Sequence, residues 1–250
     1  MISRYSRFLW AAATGILVVS LPAEALAQGG DGYLFKQPTL ALSLTAGLSM
    51  PRAGSDLFSF TTSELTVEKN DFNAPVVEGR LSVRLNERVD LMATVGGGTS
   101  NTRSEFREWE GSDGLPIEQT TEFSMVHLTF GAKAYLMERG RTVGSLAWIP
   151  ARIAPYVGAE AGWIFHDFKQ EGEFVDYETL DIFNDYFHNE GTAPTVQALA
   201  GLDVTLNNRV MLTTEARYGW GSDELGLDFV GFEELDLSGF QLTAGFTVRF

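Results

Sequence analysis

An antiparallel, up-and-down transmembrane β-barrel of about eight strands is the fold class this sequence predicts, on three observations. Eight segments alternate apolar and polar residues with a period of two, the pattern of strands whose two faces meet unlike surroundings. Their connections run long, short, long, medium, long, short, long, as in outer-membrane barrels with short periplasmic turns and long outer loops. The last segment, Phe240 to Phe250, carries its apolar face to the final residue. Chain ends in water usually fray, whereas a barrel must pair its last strand with its first.

The chain opens with an export segment. Arg4 and Arg7 precede an apolar run from Phe8 to Leu21, and Ala25-Leu26-Ala27 fits a small-x-small cleavage pattern. Residues 1–27 are read as a signal peptide and set aside from the fold, with Gln28 as the mature start. The apolar run is shorter than the about 20 residues a helical span needs, and no later run reaches that length. The chain carries 18 Lys and Arg against 33 Asp and Glu, a net charge of −15. That sign repels phosphates, so nucleic acid is excluded as a partner, as is a polybasic membrane-surface role. Cysteine is absent, which removes disulfides, thiolate zinc sites and a cysteine nucleophile. No linker divides the rest: residues 28–37 read as a loose periplasmic lead-in and 38–250 as one barrel domain.

The first strand is Thr39 to Met50, with Leu40, Leu42, Leu44, Ala46, Leu48 and Met50 on one face. Twelve residues suit a tilted crossing of about 9–11. Pro51 ends it, and Arg52 to Ala74 is the first long loop, with Phe58, Phe60 and Phe72. The second strand, Val76 to Leu85, turns tightly at Asn86-Glu87-Arg88 into the third, Val89 to about Ser100. A long charged connection, about Asn101 to Thr120, precedes the fourth strand, about Thr121 to Met137. Glu138 to Arg152 is a turn of middle length. The fifth strand is Ile153 to about Phe168. Lys169 to Thr192 is the third long loop, with seven acidic residues from Glu171 to Glu190 and one Lys. The sixth strand, about Ala193 to Leu206, turns at Asn207-Asn208 into the seventh, Arg209 to Trp220. The fourth long loop, Gly221 to Ser238, has six acidic residues and no basic one. A periplasmic N-terminus then puts every long loop outside.

One face of these strands is almost wholly Leu, Val, Ala and Phe. Trp163, Phe165, Tyr218, Trp220, Phe246 and Phe250 lie near strand ends, where aromatic girdles sit in such barrels. The opposite face holds a polar set: Glu78, Arg80, Arg84, Asp90, Lys133, Glu160, Asp203, Glu215, Arg217 and Arg249. Buried in a soluble core, so many charges would cost several kcal/mol each unless paired. Eight strands leave a bore just wide enough for side chains to fill. The set therefore reads as an ion-paired plug, with a narrow or gated conduit as the alternative.

Signals for chemistry are thin. His127 points inward, His166 and Asp167 sit at the outer end of the fifth strand, and His188 lies in the third loop. Ser222 and Asp223 begin the fourth loop near the same rim as His166. A nucleophile, a base and an acid there would make a lipid-modifying barrel enzyme, but no spacing motif joins them, and no catalytic residue, metal or cofactor is assigned. The acidic loops contain no D-x-[DN]-x-[DN]-G pattern, so a dedicated calcium loop is not indicated. Between Asp176 and His188, Tyr177, Leu180, Ile182, Phe183, Tyr186 and Phe187 mix with acids. Three readings stay open for them: a short amphipathic helix, a partner-contact patch, or packing on the barrel rim.

The strand-five run P-Y-V-G-A-E-A-G-W, Pro155 to Trp163, and the terminal G-F-T-V-R-F resemble the small outer-membrane barrels that include the OmpA barrel, OmpX and the opacity-type proteins. Glu160 stands where that family more often has a small residue. The resemblance covers about Pro38 to Phe250. It implies that Phe246, Val248 and Phe250 form the assembly signal read by the outer-membrane insertion machinery. It also implies contact with outer-membrane lipid and lipopolysaccharide. No peptidoglycan-binding domain follows, so a wall anchor is not expected. Roles differ within such a family. The expectation is a non-enzymatic protein of envelope structure or surface interaction, acting through long acidic outer loops on an extracellular ligand or host surface. A narrow channel for small or hydrophobic solutes comes second, and the lipid-modifying enzyme third.

Overall fold

The computed structural model describes residues 33–111, 114–144 and 147–250; the expected signal peptide, 1–27, and the first residues of the expected lead-in lie outside them. Eight antiparallel strands form a closed ring. They are β1 (Leu40–Pro51), β2 (Ala74–Arg84), β3 (Val89–Glu110), β4 (Pro116–Tyr135), β5 (Ile153–Val175), β6 (Ile182–Thr205), β7 (Val210–Trp220) and β8 (Gly239–Arg249). Each pairs with its neighbour in sequence, and β1 pairs with β8 from Ala41–Arg249 through Leu44–Phe246 to Pro51–Gly239. Phe250 extends that closure, its N–H donating to the Leu40 carbonyl at 2.8 Å. No helix among the described residues is long and apolar enough to cross a membrane.

Side-chain alternation sets the two faces. Leu42, Leu44, Val77, Leu81, Leu91, Phe130, Trp163, Val196, Leu242 and Phe246 are exposed around the outside, while Glu78, Arg80, Lys133, Glu160, Asp203, Glu215 and Arg217 are buried within. The two short periplasmic turns use the same device. Asn86 Oδ1 accepts from the N–H groups of Arg88 and Val89, and Asn207 Oδ1 from those of Arg209 and Val210, all at 2.9 Å. Gly201 faces Tyr156 inside the ring, and a Cβ there would run into the phenol.

The two central outer connections differ from expectation. β3 and β4 continue to Glu110 and from Pro116, and β5 and β6 pair from Ile153–Val204 up to Val175–Ile182. These stretches are hairpins rather than loops, and the aromatic run is strand from Ile182, not helix. The physical reason is an inversion of pattern. Within the membrane, apolar residues point out and polar ones in. Above Phe165 the outward positions become Asp167, Lys169 and Glu171, and the inward ones are Phe168 and the β4 residues Ile117 and Phe123.

Those inward residues build a second core above the membrane. The first outer connection folds over the barrel mouth as helix α1 (Asp56–Glu64) and a 3-10 turn, Lys69–Phe72. Phe58 of α1 meets Phe72, Phe123 and Phe168 edge-on, with ring centroids 4.8, 5.5 and 5.9 Å apart. Phe229, from the last outer connection, packs on Phe168 at 5.7 Å. Phe60 is exposed instead. On the periplasmic side, Gly140–Val143 pairs with Ala147–Pro150, and Leu34 bridges Trp148 through hydrogen bonds of 2.9 and 2.7 Å. Residues 33–37 of the lead-in are therefore tied down rather than loose.

Candidate functional site

The barrel interior holds the predicted polar set in two tiers. In the upper tier, Arg80 grips Glu215 with both terminal nitrogens, at 2.5 and 2.6 Å, and its Nε donates to Thr94 at 3.0 Å. Thr94 passes the chain on to Glu160 at 2.7 Å, and Thr129 donates to the other Glu160 oxygen at 3.1 Å. Arg217 joins Glu78 at 2.9 Å, Glu215 at 2.8 Å and Glu160 at 3.7 Å. His127 lies 2.9 Å from Glu78, and Gln241 donates to the same carboxylate at 2.6 Å. The acid at position 160 is thus required by two threonines and an arginine.

In the lower tier, Asp203 accepts from Tyr135 at 2.9 Å and Thr213 at 2.7 Å, and Lys133 stands 3.6 Å away over the Tyr156 ring. Asp90 finds its partner in Arg139, at 2.7 Å, a residue of the β4–β5 turn that reaches back into the mouth. Two members of the expected set stand apart. Arg84 lies at the periplasmic rim, 3.9 Å from Glu87. Arg249 donates to the carbonyls of Asn208 and Asn207 and stacks its guanidinium over Trp148 at 5.2 Å, with no carboxylate in contact.

The sequence did not single out Thr94, Thr129, Tyr135, Tyr156, Arg139 or Gln197, which accepts from Arg217 at 2.9 Å, as network members. The inward alternation places all but Arg139 on the polar face, but neutral polar residues carry no charge to flag them. Arg139 belongs to no barrel strand.

Two cavities flank the network, of about 50 Å³ beneath the outer dome and about 40 Å³ at the periplasmic end. Each has room for a water or two. Between them lies the ion-paired layer, and above them lies the aromatic dome.

The rim residues separate. His166 Nε2 contacts Asp223 Oδ2 at 2.7 Å, and the imidazole is fully enclosed. Gly191 leaves the space for that contact. Ser222 turns to the opposite side of its short strand and donates to Glu234 at 2.6 Å. The histidine and the acid are therefore brought together, while the serine hydroxyl is committed to Glu234 and not to His166. His188 contacts Asp167 at 3.0 Å on the outer face of the β5–β6 hairpin, and Asp167 also holds Lys169 at 2.6 Å. Asp167 and Glu122 raise the pKa of the Lys169 ammonium against the opposing effect of its partial burial. Among the described residues no group of His, Asp and Glu is placed to hold a metal ion.

The outer surface is strongly acidic. Residues 52–73, 101–122, 167–190 and 221–238 hold 24 Asp and Glu against five Lys and Arg. The expected assembly residues Phe246 and Val248 lie on the outward face of β8, with Phe250 just beyond its end, close against β1.

No protein-family model matches the sequence, and no curated protein is similar to it. Solved structures are similar in fold. The outer membrane protein OprG from Pseudomonas aeruginosa superposes with a TM-score of 0.50 at 10% identity, over 86% of this chain and 97% of that one. Neisserial surface protein A gives 0.46 at 11% identity, over 89% and 100%. Ail, the attachment invasion locus protein of Yersinia pestis, solved with the heparin analogue sucrose octasulfate, gives 0.39 at 11% identity, over 84% and 99%. Together with the closed eight-stranded ring and its apolar outer belt, the likeness to OprG shows the fold of this chain, an antiparallel β-barrel of the kind that small outer-membrane proteins form.

Proposed function

We propose that this barrel is a non-enzymatic surface protein whose acidic extracellular hairpins contact a cationic partner, while its interior serves as a structural plug. One observation carries the reading. The wall from β3 to β6 continues above the apolar belt as a polar-faced sheet built on its own aromatic core. From Asp167 to Val175 that is about 30 Å of strand. A rigid, charged platform of this size suits recognition more than it suits a gate. The charge decides the class of partner. Twenty-four acids against five bases attract a cationic surface and repel a polyanion.

Lipid and the acyl chains of lipopolysaccharide on the outer belt, and the assembly machinery at Phe246, Val248 and Phe250, are the remaining contacts in this reading. The test is binding of protein-bearing cells to a polylysine-coated surface at about 0.1 M salt. Replacing residues 101–122 and 167–190 with short turns should abolish it while leaving a heat-modifiable barrel. Equal binding by the trimmed protein overturns the reading.

A further inference from the structure

β6 pairs with β5 along its whole length but with β7 only from Val196 to Thr205. Its outer half, residues 182–195, thus presents one edge with no strand paired to it, although the short strand Ser222–Asp223 packs near Gly191 at its lower end. The lower part of that edge is managed. Pro194 has no N–H to offer. Thr195 Oγ1 donates to the Trp220 carbonyl at 2.9 Å, Asn189 Oδ1 accepts from the Gly226 N–H at 2.7 Å, and the His188 N–H reaches Asp228 at 3.1 Å.

Above His188 the edge is open. Backbone groups alternate in direction along an antiparallel strand, so Ile182, Asn184 and Tyr186, in phase with His188, turn their N–H and C=O away from β5. The Tyr186 N–H is held by the neighbouring Asp185 side chain at 2.8 Å, a contact one rotamer change releases. Proteins usually blunt such edges with Lys, Pro or a bulge. The run I-F-N-D-Y-F has no Lys or Pro, and its pairing to β5 is unbroken. Ile182, Phe183 and Tyr186 are exposed, and the adjoining turn leaves Leu227 91% and Val230 77% exposed. That turn, Leu227–Phe229, packs against β6 and forms an apolar shelf beside the open edge.

We infer that the Ile182–Tyr186 edge of β6 accepts an added strand from an extended cationic peptide segment of an extracellular partner, its apolar side chains seated on the Leu227–Val230 shelf. The inference rests on the surface-interaction reading above. Backbone pairing supplies affinity in this mode, and alternate side chains supply selectivity. Charge selects the occupant: 167–190 holds eight acids and one Lys, and 221–238 six acids and no base. A second copy of the same edge brings like charges together and is disfavoured.

The probe is a hexapeptide of alternating Lys and Val, titrated against the folded protein in detergent at about 0.1 M salt. A control peptide is N-methylated at the three amides of one edge. Asn184→Pro removes an edge N–H while leaving the β5 ladder intact, since Pro is tolerated on a free edge. The expectation is measurable binding to the wild type and a loss of about tenfold or more on N-methylation or in Asn184→Pro, as for one or two lost hydrogen bonds. Amides 182, 184 and 186 should gain hydrogen-exchange protection with peptide bound, a readout that needs no variant to fold. Absence of binding, absence of that protection, or equal binding of the N-methylated peptide overturns the inference. Should Asn184→Pro bind normally while the E171Q/E173Q/D181N variant does not, the edge inference falls and the acidic-surface reading stands.

Discussion

Arg80 of β2 and Glu215 of β7 face each other across the barrel, their nitrogens and oxygens meeting at 2.5 and 2.6 Å with both side chains buried. Two strands, β1 and β8, separate them around the wall, so the pair staples opposite sides of the closure seam. Thr94 accepts from Arg80 at 3.0 Å, and Tyr156 and Arg217 each donate to Glu215 at 2.8 Å. Breaking it leaves a charge with no water to solvate it.

Glu215→Ala is expected to lower the stability of the folded barrel by about 3–5 kcal/mol, the range for removing one partner of a buried pair. The paired replacement Arg80→Met with Glu215→Leu should recover most of that loss. Urea unfolding in lipid vesicles measures both. A single variant as stable as the wild type would show that the pair is not the staple.

In planar bilayers the wild type is expected to give no conductance steps, because the ion-paired layer and the aromatic dome lie in series. A reproducible, ion-selective current would sink the plug reading and restore the conduit.

Phe58→Ala should loosen the dome without opening the ring. Removing a buried phenylalanine costs about 3–5 kcal/mol, and here the loss falls on the core shared by α1, β4 and β5. Hydrogen exchange should quicken at residues 53–73 and in the outer halves of β3 and β4, while the β1–β8 seam stays protected. Uniform loss of protection would mean that dome and barrel unfold as one unit.

Deleting Phe250 should reduce the amount of protein reaching the outer membrane far more than it alters refolding in detergent. Phe250 is half-buried on the lipid side and adds two backbone bonds at the seam through its carbonyl, to Thr39 and Leu40. Normal membrane levels of the truncated protein would count against an assembly signal.

Acid should release the tip of the β5–β6 hairpin. The Glu178 and Thr179 N–H groups donate to Asp176 and hold its pKa below the usual Asp value. A depressed folded pKa means that the contribution is complete above the ordinary Asp range and lost as pH falls through the folded value. Amide protection at 178–179 should therefore hold at neutral pH and fall with acidification. Asp176→Asn should flatten that dependence.

Legibility from the sequence was uneven, for definable reasons. In the membrane, Leu42, Leu44, Leu81 and Phe246 had to face out and Arg80 and Glu215 in, because a period-two pattern admits only two assignments and lipid accepts one. Above the membrane the same period continues with its sense reversed. Phe123, Phe168 and Ile117 point inward under Phe58, while Glu122, Asp167 and Glu171 lie on the outer face, where Asp167 is covered by Lys169 and His188. Judged by charge, that stretch resembled loop.

The sequence by itself determined the strand count, the face of each strand within the membrane, the tight turns at Asn86 and Asn207, and the closure of the last strand on the first. These are local properties, set by alternation along one strand or by a side chain bonding its own turn. Only the tertiary structure decided which inward charge meets which: Arg80 with Glu215, Arg217 with Glu78, Asp90 with Arg139, and Arg249 with backbone carbonyls. It also parted Ser222 from His166 and left the outer edge of β6 unpaired. Those outcomes depend on curvature, stagger and the folding of the first outer connection into the mouth, and no one-dimensional period records which residues a closed ring brings face to face.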